Sequence, residues 1–199
     1  MIAPEDFDRM YTADPDPFRV GERWYERRKI DVVVACLTEQ RYYRAWDTAC
    51  GTGHLAAVVA DRCDQLLATD ASAEACRIAA DRLDRMPNVR VGVHELPAAP
   101  AATSGAFDLV LLSEVVYYLA PQALDALAPM LQRATVRAAP AEIVVVNWRH
   151  HPSDAHSSGS SAVGMLAAPL QQLGWQPAVQ HDDEDFLLRS WRRPAGSPR

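Results

Sequence analysis

The chain has 199 residues, enough for one globular domain with a substantial core, and 49% of them are hydrophobic against 23% charged. Its formal net charge of −6 argues against nucleic-acid binding through phosphates, which requires a basic face. No apolar run approaches the roughly 20 residues of a bilayer span, and the acidic start MIAPEDFDRMYTADPDPFR lacks the basic and apolar regions of a secretory signal. The expected compartment is therefore the cytoplasm, with neither nucleic acid nor membrane as partner.

Residues 1–40 read as a helical cap or lid, in which WYERRKIDVVVACL from Trp24 has the charged start and apolar continuation of a helix. Tyr42 to Ala49 reads as a strand running into Cys50-Gly51-Thr52-Gly53, and HLAAVVADRC behind it returns to helical spacing. Gln65 to Thr69 is a second strand closed by Asp70. Ser72 is a candidate N-cap for a helix over Glu74 to Arg85, with Pro87 as its stop. Val89 to Val93 is a third strand and Phe107 to Leu112 a fourth, its LVLL apolar throughout as a buried parallel strand requires. Pro121 opens a helix toward Arg137, and Ile143 to Val146 is a fifth strand.

After Trp148 the stretch RHHPSDAHSSGSS is polar and aperiodic, and reads as a loop. Val163 to Leu173 is helical, Gly174 ends it, and Trp175 to Val179 and Phe186 to Trp191 are two closing strands; residues 195–199 read as a frayed tail. The alternation over residues 41–194 predicts a single-domain α/β fold, a doubly wound, parallel, Rossmann-like sheet with helices on both faces. Such sheets bind ligands at the carboxyl ends of their strands.

Several chemistries fall away. Cys36, Cys50, Cys63 and Cys76 show no C-x-x-C spacing, so they read as buried free thiols and not as a metal knuckle or a redox dithiol. His150, His151, Asp154 and His156 lack a framework to fix metal-ligand geometry, and no metal is expected. Lys29 is the only lysine and no G-K-[ST] occurs, which excludes a P-loop; its place in the charged run ERRK argues against a Schiff base.

What remains is a nucleoside site. Gly51 and Gly53 lie between a strand and a helix, where glycine permits close backbone approach and helix-start amides bind anionic groups. Asp70, at the next strand end, is suited to accept hydrogen bonds from both ribose hydroxyls, and Glu95 after the third strand is suited to an adenine amino group. Gly51-x-Gly53-x-x-Ala56 also satisfies the loose dinucleotide pattern, so an NAD-dependent oxidoreductase is a rival. The aromatic-rich segment before the motif, the carboxylate of Glu95 and the little chain left for a substrate domain weigh against it. Phe18, Trp24 and Tyr25 precede the sheet and are candidates to close over a cofactor, since aromatic faces attract a sulfonium as they do ammonium groups.

Asp47-Thr-Ala-Cys-Gly-Thr-Gly53-His-Leu55 resembles motif I of the class I S-adenosylmethionine-dependent methyltransferases, usually [DE]-x-G-x-G-x-G, with Ala49 for the commoner glycine. Asp70, Glu95 (for the commoner aspartate) and the stretch Phe107 to Glu114 fall where that fold places its ribose, adenine and strand-four motifs. More narrowly, DPDPF with WYERRK, SEVVYYL, and WRHHP after strand five (with one extra histidine) resemble the nodulation protein S family. The resemblance implies S-adenosyl-L-methionine as cofactor and S-adenosyl-L-homocysteine as product. It implies a cofactor site of Trp24, Tyr25, Asp47, Ala49, Gly51, Gly53, Asp70, Ala71, Glu95, Leu96, Ser113 and Glu114. Tyr118 stands where related enzymes often place a histidine facing the methyl group, and His150 is the candidate base; these two are the expected catalytic residues. The implied acceptor is a small-molecule amine, on an amino sugar or a secondary-metabolite precursor. A non-catalytic or repurposed S-adenosylmethionine-binding protein is the alternative of a different class. Oligomeric state stays open between monomer and homodimer.

Overall fold

The computed structural model describes residues 3–100 and 106–194; the expected frayed tail lies outside them. The chain divides into two compact units between Glu95 and Leu96, so residues 3–40 are part of the first unit.

The first unit contains α1 (Pro4–Ala13), α2 (Trp24–Cys36), β1 (Tyr42–Asp47), α3 (His54–Val59), β2 (Cys63–Asp70), α4 (Ala73–Leu83) and β3 (Val89–Val93). Its strands lie in the order β3-β2-β1, all parallel, with Asp47 opposite Ala68 and Asp70 opposite Val93. Parallel neighbours require crossovers, and α3 and α4 supply them. Tyr42, Ala45, Trp46, Leu66 and Ala68 are buried along β1 and β2, and the Trp46 indole donates to Thr69 Oγ1 at 2.8 Å. The buried indole thus keeps its polar atom satisfied.

Helix α1 is a distinct element within the predicted cap. Pro4 stands in its first turn, and Asp6 Oδ2 accepts from the Ala3 N–H at 2.8 Å. It is anchored far along the chain. Ser72 caps α4 as expected, accepting from the Ala75 N–H at 3.0 Å, and the Ser72 hydroxyl donates to Asp8 Oδ1 of α1 at 2.6 Å. The same oxygen accepts from the Glu74 N–H at 3.0 Å, placing a carboxylate at the positive end of α4. The Ser72 hydrogen bond, ahead of the backbone one, holds Asp8 below the usual carboxylate range. In α2, the run ERRK is not uniformly solvated: Lys29 is buried, 2.7 Å from Glu26 Oε2 and 5.1 Å from the Tyr25 ring centroid.

The second unit contains β4 (Leu109–Ser113), a 3₁₀ turn over Val116–Tyr118, α5 (Pro121–Thr135), β5 (Ala141–Trp148), α6 (Gly159–Gln172), β6 (Gln176–Asp182) and β7 (Phe186–Arg193). Strands β4 and β5 are parallel, with Ser113 opposite Val146, and their residues Leu109–Leu112 and Ile143–Val146 are buried, as continuous apolar runs predict. The order here is β4-β5-β7-β6. The expectation of an all-parallel sheet fails at its end: β7 runs antiparallel to both β5 and β6. The cause is the short link between Asp182 and Phe186, which has no room for a crossover helix.

Helix α6 begins four residues before the predicted Val163, inside the serine-rich stretch. Ser158 is its N-cap, accepting from the Ser161 N–H at 3.1 Å. Gly159 is compulsory there, because a Cβ would lie 1.9 Å from the Trp148 carbonyl oxygen and 3.0 Å from Asn147 Cβ. Gly164, in the same helix, has nothing within 4 Å of a built Cβ. Chemical denaturation should therefore show Gly159→Ala destabilised by about 3 kcal/mol, the upper end of overpacking costs. Gly164→Ala should instead gain roughly 0.5–1 kcal/mol from helix propensity.

Candidate functional site

In the first unit, the segment between β1 and α3 forms a tight turn against the end of β2. The Cys50 N–H donates to the Thr69 carbonyl at 2.8 Å and the Gly53 N–H to the Cys50 carbonyl at 2.9 Å. Gly51 has φ +52° and Gly53 φ +83°, the left-handed region that favours glycine. A Cβ on Gly53 would also meet Leu83 Cδ1 at 3.1 Å and Ala79 Cβ at 3.2 Å. Ala49 is outside the positive-φ set, which explains how alanine serves where the motif usually has glycine.

Asp70 organises this turn. Its Oδ2 accepts from the Gly51 N–H at 2.9 Å and its Oδ1 from the Ser72 N–H at 2.9 Å. Ala71 adds a further backbone donor. Burial nonetheless wins over these hydrogen bonds and raises the Asp70 carboxyl above its ordinary range. Substituting alanine for Asp70 would thus loosen the turn by freeing the Gly51 and Ser72 N–H groups.

Asp47 is the most demanding group in the unit. It is fully buried, neither carboxyl oxygen has a hydrogen-bond partner among the described residues, and burial, aided by Asp70, pushes it up to about 7. An uncompensated carboxylate beside a glycine turn suits a ligand bearing a cation, such as the ammonium and sulfonium of S-adenosylmethionine.

The cover over the turn is only partly the expected one. Trp24 is 68% exposed and Tyr25 half-buried under Lys29, while Phe18 meets Tyr11 edge-on at 6.2 Å. The aromatic beside the turn is Tyr11, whose hydroxyl lies 3.2 Å from a Cβ built on Gly51. It is the buried aromatic of α1 and was not foreseen. The DPDPF motif works as a turn: Asp16 accepts from the Val20 and Gly21 N–H groups at 2.8 and 2.9 Å. Gly21 then sits against His54, which would be 2.9 Å from its Cβ. Glu95 is exposed and follows β3 by two residues, and Ala71 is half-buried.

In the second unit a carboxylate again ties a strand end. Glu114, at φ +55°, follows Ser113 and donates its N–H to the Val146 carbonyl at 2.9 Å. Its Oε2 accepts from the Tyr117 hydroxyl at 2.6 Å and from the Trp148 N–H at 2.9 Å. A non-glycine residue in this region signals local strain held by its surroundings. Tyr117 is buried, and its ring meets Tyr118 edge-on at 4.6 Å. Burial, reinforced by Asp154 and Glu114, raises the Tyr118 phenol well above its ordinary value, so it is a neutral hydrogen-bonding group and not a phenolate. The loop after β5 is tethered over this turn by the His156 N–H, which donates to the Tyr117 carbonyl at 3.0 Å.

His150 is half-exposed, 3.5 Å from Asp185 and edge-on to Trp148 at 5.0 Å. Leu96 is buried. Asn147 was not foreseen; it is fully buried and neither amide atom has a partner among the described residues. The polar residue interrupting the apolar β5 run was its only sequence signal. Among the described residues no group of three or more His, Cys, Asp or Glu converges as a metal site, and no helix is long and apolar enough to cross a membrane.

Comparison with known proteins gives this geometry a context. Residues 45–138 match the methyltransferase domain family. A Pseudomonas syringae protein assigned to the methyltransferases is 33% identical, with a TM-score of 0.72 over 86% of this chain and 100% of that one. The N-methyltransferase NodS of Bradyrhizobium japonicum, solved with S-adenosyl-L-homocysteine, is 20% identical, with a TM-score of 0.77 over 96% of this chain and 97% of its own. The [4+2]-cyclase SpnF is 15% identical, with a TM-score of 0.70 over 86% of this chain and 82% of its own. No curated protein sequence matches significantly.

Asp47 yields a pH test. A buried carboxyl with a raised value in the folded state binds its proton more tightly than in the unfolded chain. Its penalty therefore grows as pH rises from about 4 to about 7 and persists above. Asp47→Asn removes that penalty. In the absence of ligand, thermal unfolding should show the variant gaining on the parent at pH 8 and the gap shrinking toward pH 5.

Proposed function

Since the chain belongs to the class I S-adenosylmethionine-dependent methyltransferases, we propose that it methylates the nitrogen of a small-molecule amine in the cytoplasm. The bound sulfonium supplies an already activated methyl group, so alignment and exclusion of water are what the protein must contribute. With S-adenosylmethionine as cofactor, the dinucleotide reading of the glycine turn is set aside. Asp70, Gly51, Gly53, Ala49 and Ala71 hold the adenosine side, Glu95 the base and Asp47 the amino-acid end, with Trp24 and Tyr25 as cover.

The observation that carries the amine reading is Tyr118, a neutral phenol near two carboxylates, Glu114 and Asp154. Such a setting favours a cationic guest and disfavours an acidic one. An ammonium has no lone pair and must lose a proton before it can attack. Tyr118 orients the amine by hydrogen bonding, while His150, paired with Asp185, takes the proton toward solvent.

Turnover is read as S-adenosylhomocysteine formed from a panel of amines, alcohols and acids. Amines should be the acceptors, and Tyr118→Phe should lower kcat by about tenfold or more, about 1.4 kcal/mol, with cofactor affinity unchanged. Turnover of acids or alcohols in preference to amines would overturn the acceptor class. Cofactor binding with no turnover of any acceptor would favour the binding-protein alternative.

A further inference from the structure

Helix α1 stands outside the sheet, and two of its side chains tie it to the surroundings of the glycine turn. Asp8 and Tyr11 are three residues apart in α1, a spacing that sets both on one face of a helix. Asp8 Oδ1 accepts from the Ser72 hydroxyl at 2.6 Å and from the Glu74 N–H at 3.0 Å, which pins that face to the start of α4. About one turn further along α1, Tyr11 is buried and brings its hydroxyl to 3.2 Å from a Cβ built on Gly51. Phe18 braces the Tyr11 ring edge-on, with centroids 6.2 Å apart.

These contacts close a circuit. Asp8 holds Ser72, whose N–H donates to Asp70 Oδ1, and Asp70 Oδ2 accepts from the Gly51 N–H. Tyr11, on the same helix as Asp8, completes the path back to Gly51. The two glycines of the turn have different surroundings. A Cβ on Gly53 would meet Leu83 Cδ1 and Ala79 Cβ, so glycine there serves packing. On Gly51, its chain neighbours apart, the Tyr11 hydroxyl oxygen is the only atom of the described residues within 4 Å of such a Cβ. A ligand that approaches the Gly51 backbone on that side therefore meets a single polar atom, and it belongs to a phenol.

We infer that Tyr11 is a cofactor-binding residue, its hydroxyl donating to an oxygen of S-adenosylmethionine beside Gly51, and that Asp8 is the positioning residue that holds it there. The inference rests on the cofactor site proposed above and adds to it a residue from outside the sheet. The neighbouring side chains leave that task open. Asp47 and Asp70, when ionised, only accept hydrogen bonds, so they suit the amino group and the ribose hydroxyls of the cofactor. Its carboxylate and its ring oxygen have no hydrogen to offer and require a donor. A phenol supplies one without adding charge.

The test is calorimetric titration of S-adenosylhomocysteine into the parent, Tyr11→Phe, Asp8→Ala and the double variant. Tyr11→Phe keeps the ring and removes only the hydroxyl; its dissociation constant should rise about tenfold, the scale of one hydrogen bond to a charged or strongly polar oxygen. Without ligand it should melt within about 4 °C of the parent. Asp8→Ala should weaken binding by a similar factor, because it frees α1 from α4. In the Tyr11→Phe background the same change should cost no more than about twofold, since nothing remains to be positioned. Equal affinity of the parent and Tyr11→Phe would overturn the proposal, and so would losses that multiply in the double variant. A larger fall in melting temperature for Tyr11→Phe would mark the hydroxyl as structural and overturn it too. If Asp8→Ala impairs folding, Tyr11→Phe decides by itself. Failure of the parent to bind S-adenosylhomocysteine would instead count against the cofactor site as a whole.

Discussion

The carboxylate of Asp70, with one oxygen on the Gly51 N–H and the other on the Ser72 N–H, is the joint on which the first unit turns. It joins three backbone segments: the end of β2, the glycine turn and the start of α4. Each of those backbone donors would otherwise require another partner, and hydrogen bonds to a charged acceptor are among the stronger ones in proteins. The same region carries an unpartnered Asp47 and the α4-capping Asp8. Asp47 and Asp70, both raised by burial, are costly for the protein alone and are offset when a cation enters. A sulfonium nucleoside with an amino group brings both the hydroxyls and the positive charge that this arrangement lacks.

The second unit repeats the device with different surroundings. Glu114 stands just past β4 in a strained conformation and ties the Tyr117 hydroxyl to the backbone of Trp148. The strain is held by those two bonds and by the Val146 carbonyl, so the 3₁₀ turn carrying Tyr118 is fixed in place. Burial then keeps the Tyr118 phenol protonated. Rigid placement of a neutral hydrogen-bonding group matters for methyl transfer, where geometry supplies most of the rate and little acid–base work is required.

Local signals in the sequence were sufficient wherever short-range physics decides the outcome. Ser72 as a cap, Val89–Val93 as a strand and the helix from Trp24 rest on neighbours a few residues apart, while Asp70, 19 residues after Gly51, was legible as the acid closing the next strand. What was not legible depends on distant approach. Asp8 reaching Ser72 and Tyr11 beside Gly51 join residues that no spacing rule connects. The start of α6 was hidden for a different reason: serine, glycine and histidine read as loop, and only the closeness of Gly159 to the Trp148 carbonyl reveals why a glycine belongs in the first turn. The reversal of β7 follows from a link too short for a helix, a feature visible in the sequence but not used.

The central claim is that the Asp70 carboxylate, through both oxygens, makes the cofactor site. The most direct measurement is calorimetric titration of S-adenosylhomocysteine into the parent and into Asp70→Asn. The variant keeps the shape but sets an NH₂ group against one backbone N–H. The account predicts binding by the parent and a loss of about ten- to a hundredfold in the variant, the range for a buried charged hydrogen bond left unmade. Equal dissociation constants would contradict it.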